Sequence, residues 1–216
     1  MNHQIKSKER VAAHGEVFTS EREVNAMLDL VKQETERIDS RFLEPACGDG
    51  NFLIEILRRK LAVCEGRVKA KQYTQLQYEQ AAVQSVSSIY GIELLADNDE
   101  ACRKRLLDYF TQQYSALFKS KCKSECIKSV KYLLSKNIIH GDALTYKRVD
   151  RPDEWIHICE WGFIGKGMVN RRDYEFSYLV GEGEPDDLFS DLPCETYAPV
   201  HFLKLSAEAY GEQLQS

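Results

Sequence analysis

The segment Glu44-Pro45-Ala46-Cys47-Gly48-Asp49-Gly50-Asn51 restricts the fold of this chain more than any other. The apolar pair Phe42-Leu43 leads into it. Phe52-Leu53-Ile54-Glu55-Ile56-Leu57 leads out, with apolar residues at helical spacing. A strand, a two-glycine turn and a helix in that order open a parallel crossover unit. The alternation then repeats. Residues 88–94, 137–144 and 155–161 are short apolar runs separated by helical patterns. The expected fold is therefore α/β, a doubly wound and mostly parallel sheet with helices on both faces.

Other segments fill in this scheme. Ser20 and Glu23 form a capping box, and Val24, Met27, Leu28 and Val31 predict a helix over about 20–38. Residues 64–84 are polar and are expected to be helical or partly mobile. Asp97, with Glu100 three residues on, is expected to cap a long helix carrying Cys102, Leu106, Leu107 and Phe110 inward. Residues 119–136 read as a basic helix. Past about 165 the pattern weakens: residues 181–185 are turn-like and acidic, and residues 200–205 suggest one more strand. The expected organisation is an arm over 1–19, one ligand-binding domain over 20–165, and a degenerate extension of that domain over 166–216.

Composition narrows the function classes. No run of apolar residues is long enough to span a bilayer, and the polar start MNHQIKSKER is not a secretory signal. A cytoplasmic protein is expected. The chain has seven cysteines, but only Cys122 and Cys126 lie close together and no second pair follows. Reduced thiols are expected rather than a metal site. The net charge of −5 leaves no general basic surplus for gripping DNA alone. DNA contacts would come from local patches, best at residues 119–131, or from a partner.

The candidate chemistry lies at the strand ends, where open parallel sheets bind ligands. Gly48 and Gly50 let a ligand approach backbone N–H groups at a helix start. Glu44 and Asp49 flank them, and acids would repel a pyrophosphate. The third glycine of a dinucleotide-binding turn is also missing, which disfavours a dinucleotide-dependent oxidoreductase. The acids suit a cation such as S-adenosylmethionine, whose sulfonium and ammonium are both positive. The turn from Glu44 through Pro45, Ala46, Gly48, Asp49, Gly50 and Asn51 to Phe52 is its expected cradle. Glu93, with Leu94 beside it, ends the second strand and is expected to accept from the ribose hydroxyls. Asp142 ends the third and is expected to accept from the adenine amine, with the Ala143 amide near the ring. Phe18 is expected to stack near the cofactor and Thr19 to touch its carboxylate. Alone, Glu93 and Asp142 would read as helix caps or solvated acids. Their order, each closing a successive strand after the glycine turn, favours the site.

GEVFTS, FLEPACGDGNF, IYGIELLADN and IIHGDAL together resemble the gamma-class adenine-specific DNA methyltransferases, including the modification subunits of restriction systems. The resemblance covers about residues 14–146. It implies a doubly wound methyltransferase sheet, S-adenosylmethionine as cofactor, and methyl transfer to N6 of an adenine flipped out of the duplex. It also implies DNA as partner, with a restriction or specificity subunit nearby. One motif is absent. The family carries an Asn/Asp-Pro-Pro-Tyr/Phe tetrapeptide at the end of the fourth strand, and this chain has Cys159-Glu160-Trp161-Gly162-Phe163 there. Glu160 is expected to imitate the amine acceptor and Trp161 the stacking ring. The alternative is that these aromatics are core and the chain is a non-catalytic cofactor-binding scaffold or sensor.

Overall fold

The computed structural model describes residues 6–14, 16–180 and 192–212. The chain begins with α1 (Lys8–His14), α2 (Glu21–Asp29) and α3 (Lys32–Thr35). It continues through β1 (Phe42–Glu44), α4 (Asn51–Lys69), α5 (Gln75–Ser87), β2 (Ile89–Glu93), α6 (Ala96–Phe118), α7 (Ser124–Asn137) and β3 (Ile138–Asp142). Then follow β4 (Lys147–Arg148), β5 (His157–Phe163), β6 (Met168–Glu175), α8 (Phe176–Leu179), β7 (Glu195–Thr196) and β8 (Val200–His201). Short 3₁₀ turns lie at Lys119–Lys121 and Glu208–Tyr210. The molecule is α/β with a mixed parallel and antiparallel sheet system. No helix among the described residues is long and apolar enough to cross a membrane.

Strands β1, β2 and β3 are parallel and adjacent in that order, and β4 closes the far edge antiparallel to β3. Glu44 pairs with Gly91 and Glu93 with His140, so the carboxyl ends are staggered, each strand from β1 to β3 reaching two residues beyond the one before it. Side chains alternate between faces along each strand. A Cβ on Gly91 would meet Leu53, which puts α4 on one face. There α4 and α6 pack on the strands, and α5 and α7 pack on them and on each other. Leu53, Leu57, Leu61, Tyr78, Val83, Leu106, Phe110 and Leu133 form the core of this layer.

The second face carries the main departure from expectation. Tyr90, Ile92 and Ile139 point to it, and among the described residues no layer of long helices covers them. Ile156, Phe176 and the partly buried Ile158 pack there instead. The Tyr90 hydroxyl donates to the Cys159 carbonyl at 2.8 Å. The fourth strand thus leaves the parallel sheet and pairs with β6 over seven residues, from His157 opposite Glu175 to Phe163 opposite Val169. Among the described residues the sheet extends to one side of β1 only. The reason is legible in β5 and β6. Cys159 and Trp161 are buried and alternate with Glu160, and in β6 Val169, Arg171 and Asp173 are buried between less buried neighbours. A parallel strand covered on both faces would be apolar throughout, whereas one-sided alternation suits an antiparallel sheet.

Other expectations divide. The Ser20–Glu23 capping box forms, with the Glu23 N–H donating to Ser20 Oγ. The helix it opens ends at Asp29, and only Val24 and Leu28 are buried while Met27 and Val31 are exposed. Residues 64–84 take the helical alternative: α4 and α5 carry them, joined by a turn, with Tyr78, Ala82 and Val83 buried. Asp97 is not a cap. Leu95 is the N-cap of α6, and Asp97 sits in its first turn, turned toward the arm. Cys102, Leu106 and Phe110 are buried as expected. The expected strand over 200–205 is two residues long, with Phe202 and Leu205 buried beyond it. Residues 181–185 lie outside the described residues.

Candidate functional site

The glycine turn follows β1 directly. Gly48 and Gly50 adopt φ of +55° and +88°, left-handed values that favour glycine. The Gly50 N–H donates to the Cys47 carbonyl at 2.8 Å and the Cys47 N–H to the Ile92 carbonyl at 3.0 Å, so the turn is tied to the end of β2. Beneath it lie Cys102 and Cys47. A Cβ on Gly50 would come within 2.7 Å of Cys102 Sγ, and one on Gly91 equally close to Cys47 Sγ. The Cys47 thiol is pushed up, first by its contact with Cys102 and then by burial.

Glu93 organises the site. It is only 6% exposed at the end of β2. Its Oε2 accepts from the Gly48 N–H at 2.8 Å, and its Oε1 accepts from the Leu95 N–H at 3.0 Å and Asn98 Nδ2 at 3.3 Å. Hydrogen bonds of this kind hold a carboxylate in one orientation and make it costly to remove. Oε1 already accepts twice, and Oε2, which accepts once, retains capacity for a further donor. Asp142 is half-buried at the end of β3, where its Oδ1 accepts from the Leu144 N–H at 2.9 Å. Pro45, Ala46 and Leu94 are exposed around the turn, and Ala143 packs at the margin of the second-face cluster.

The arm closes over this edge. A Cβ on Gly48 would lie 3.1 Å from Phe18 Cε1, so the ring sits directly above the turn. The Thr19 carbonyl accepts from Asn51 Nδ2 at 3.1 Å, and Asn51 Oδ1 accepts from Arg105 at 2.8 Å. Arg10 pairs with Glu16 at 2.6 Å and with Asp97 at 2.9 Å, and Lys6 also reaches Asp97. Arg10 and then Lys6 hold the Asp97 carboxyl well below the usual range. Asn98 Nδ2 donates to Glu16 at 2.6 Å as well as to Glu93. A continuous polar chain therefore runs from Arg10 through Glu16, Asn98 and Glu93 to the Gly48 N–H. The sequence reading passed over Asn98 and Glu16. The signal that could have found them is spacing: Asn98 lies five residues past Glu93, in the first turn of α6.

The expected cradle residues mostly converge. Phe18, Thr19, Gly48, Asp49, Gly50, Asn51, Glu93 and Leu94 share this edge. Phe52 does not join them; it packs against the main core. Glu44 is half-buried, and burial pushes its carboxyl up. Among the described residues no cation pairs with it. Val17, Phe18, Thr19, Glu23, Ala26 and Met27 line an open groove of about 500 Å³ beside the turn.

Glu160 and Trp161 lie elsewhere. The Ile156 N–H bonds the Tyr146 carbonyl near the carboxyl end of β3. Trp161 Nε1 donates to Asn137 Oδ1 at 2.9 Å, just before β3 begins. Glu160 pairs with Arg41, just before β1, at 2.9 Å and with Arg172 at 2.8 Å. So β5 runs against β1–β3 and carries these two residues to the amino-terminal edge. A five-residue strand spans roughly 16 Å, which separates them from the glycine turn. Trp161 is 8% exposed and meets Tyr132 edge-on. Neither residue is placed to serve a ligand at the turn, and the expected imitation of the tetrapeptide is corrected on this geometry.

Comparison of the chain with protein-family models, with curated proteins and with solved structures finds no match.

Proposed function

We propose that this chain is the S-adenosylmethionine-binding component of an adenine-N6 DNA methyltransferase, a modification subunit of a restriction-modification system. The observation that carries the reading is Glu93. It is a buried acid closing the strand next to an acid-flanked glycine turn, and it is held by that turn's own N–H. The residues fit the cofactor. Glu44 is half-buried without a counter-cation, and a sulfonium or ammonium beside it would relieve that burial. Phe18 offers a ring above the turn, and Glu93 and Asp142 offer acceptors at successive strand ends. The cofactor supplies a methyl group on a positively charged sulfur. The chain's residues bind it, orient it and shelter it under the arm.

A second reading has its own support. Glu160 is neutralised by two arginines, and neither it nor Trp161 is near the turn. Among the described residues nothing at the carboxyl edge stands in the place of the missing adenine acceptor, which favours a cofactor-binding protein without activity of its own. Both readings share one test. Calorimetric titration with S-adenosylmethionine should show binding that Glu93→Gln weakens by about tenfold to a hundredfold, the scale of one charge-assisted hydrogen bond. No binding by the folded wild-type chain would end both. Transfer of labelled methyl groups to duplex DNA, with and without neighbouring gene products, separates them.

A further inference from the structure

We infer that the Phe18 ring is a gate on the glycine turn: it fills the opening above Gly48 and must rotate into the groove beside α2 before a ligand reaches the turn. The identity of that ligand rests on the cofactor reading; the gate does not. A Cβ on Gly48 would lie 3.1 Å from Phe18 Cε1 and 3.4 Å from Cδ1. Carbon atoms in contact settle about 3.5–4.0 Å apart. The ring therefore leaves no room for even a methyl group over Gly48, at the place where glycine would let a ligand approach the backbone. The opening is plugged by the chain's own side chain.

The ring has a second place to lie. Val17, Phe18, Thr19, Glu23, Ala26 and Met27 line an open groove of about 500 Å³. Roughly 150 Å³ is enough to hold a benzene ring. Phe18 stands between this groove and the turn, so rotation about its side-chain bonds carries the ring from one to the other. Met27 has the spacing of an inward-facing residue, yet it lines the groove and is 54% exposed. A thioether is a soft surface that packs favourably on aromatic rings. The open position of the gate gives this apolar side chain a partner.

The backbone beside the ring need not move. The Thr19 carbonyl accepts from Asn51 at 3.1 Å, and Glu16 accepts from Asn98 at 2.6 Å and pairs with Arg10 at 2.6 Å. Phe18 thus sits between two tied positions, and rotating its ring is the smaller movement. Little holds the ring against the turn. It is half-buried, and Lys6 Nζ stands 5.9 Å from its centroid, the outer limit of a cation–π contact. The affinity of such a site is the intrinsic affinity scaled by the open fraction. A change in the groove should therefore alter binding at the turn without touching the ligand.

The test places 4-fluorophenylalanine at position 18 of the full chain and follows its fluorine resonance. Gly48→Ala puts a methyl group under the ring, and Ala26→Phe fills the groove; the two should move the resonance in opposite senses. Ala26 is exposed on α2, so its variant should unfold within a few degrees of the wild type. Titration with S-adenosylmethionine then compares Ala26→Phe in the wild-type chain and in Phe18→Ala. With the ring present, Ala26→Phe should weaken binding by roughly tenfold or more, because it lowers the open fraction. Without the ring, the same substitution should change affinity by less than about twofold. A resonance that neither substitution moves, or that both move in the same sense, would overturn the gate. So would an equal effect of Ala26→Phe with and without the Phe18 ring. Failure of every chain to bind S-adenosylmethionine would end the cofactor reading alone, and opposite fluorine shifts would still establish the gate.

Discussion

Gly48 and Gly50 are two residues apart in one turn and should respond differently to an added methyl group. Both have positive φ, so alanine costs about 1–2 kcal/mol in backbone strain at either. At Gly48 the neighbour is the Phe18 ring at 3.1 Å, on an arm that can shift. At Gly50 it is buried Cys102 Sγ at 2.7 Å, and overpacking adds about 1–3 kcal/mol. Gly50→Ala should therefore be the more destabilising in urea unfolding. Cys102→Ala in the same chain should return the overpacking part, a coupling that a double-mutant cycle reads directly. Additive effects would place the turn differently. Lys60 offers a pH test. It is fully buried, donating to the Ile38 and Ser40 carbonyls and to Ser88 Oγ, and burial draws its ammonium down to about 7. The unfolded chain still binds that proton up to about pH 10. Between about pH 7 and 10 the unfolded state holds more protons at this site, so the Lys60 contribution rises with pH across that window and levels off below it. Buried thiols pushed up like Cys47 act in the opposite sense above about pH 8.5, so the Lys60 part is read as a difference: the urea midpoint of the wild type relative to Lys60→Met should rise from pH 7.5 to 9.5.

At the scale of elements, the arm is the piece whose attachment can be tuned. Its contacts with α6 are ion pairs of partly exposed groups, Lys6 and Arg10 on Asp97, with Arg10 also on Glu16. Pairs of this kind weaken as salt rises. Tryptic cleavage within residues 6–14 should accelerate from low to about 0.5 M salt, where screening is short-ranged. Arg10→Ala should show the fast rate already at low salt. Saturating S-adenosylmethionine should slow cleavage in the wild type, because Asn98 joins the arm to Glu93. A salt-independent rate would mean that Phe18 packing holds the arm instead.

For the whole molecule, the two edges of the sheet should behave as separate regions. Glu160→Ala should leave cofactor affinity unchanged within error, since Glu160 pairs with Arg41 and Arg172 at the amino-terminal edge. Trp161→Ala should cost about 3–5 kcal/mol of stability, the usual range for a buried aromatic. It also leaves Asn137 Oδ1 without its donor. Purified chain with plain duplex DNA should give no N6-methyladenine. A signal lost in Glu160→Ala would show that the strand packs differently in solution.

The sequence by itself determined the local units. Two glycines after Phe42-Leu43 forced the turn, and apolar periodicity after Asn51 and Asp97 gave α4 and α6. The order Glu44, Glu93, Asp142 foretold three successive parallel strand ends, because each acid follows an apolar strand of a crossover unit. The capping box at Ser20 was equally legible, since its contacts span only three residues. Pairing between distant segments was not. Whether β5 joined β1 or turned back on β6 depended on the polar alternation of residues 168–175 and on the cage around Arg171, which is built from Tyr132, Trp161, Tyr197 and Tyr210. No local rule brings those residues together. That choice moved Glu160 and Trp161 to the far edge and left β1 open. Only the tertiary structure could decide it, because strand direction is set by which neighbours complete the hydrogen bonds and bury the apolar face.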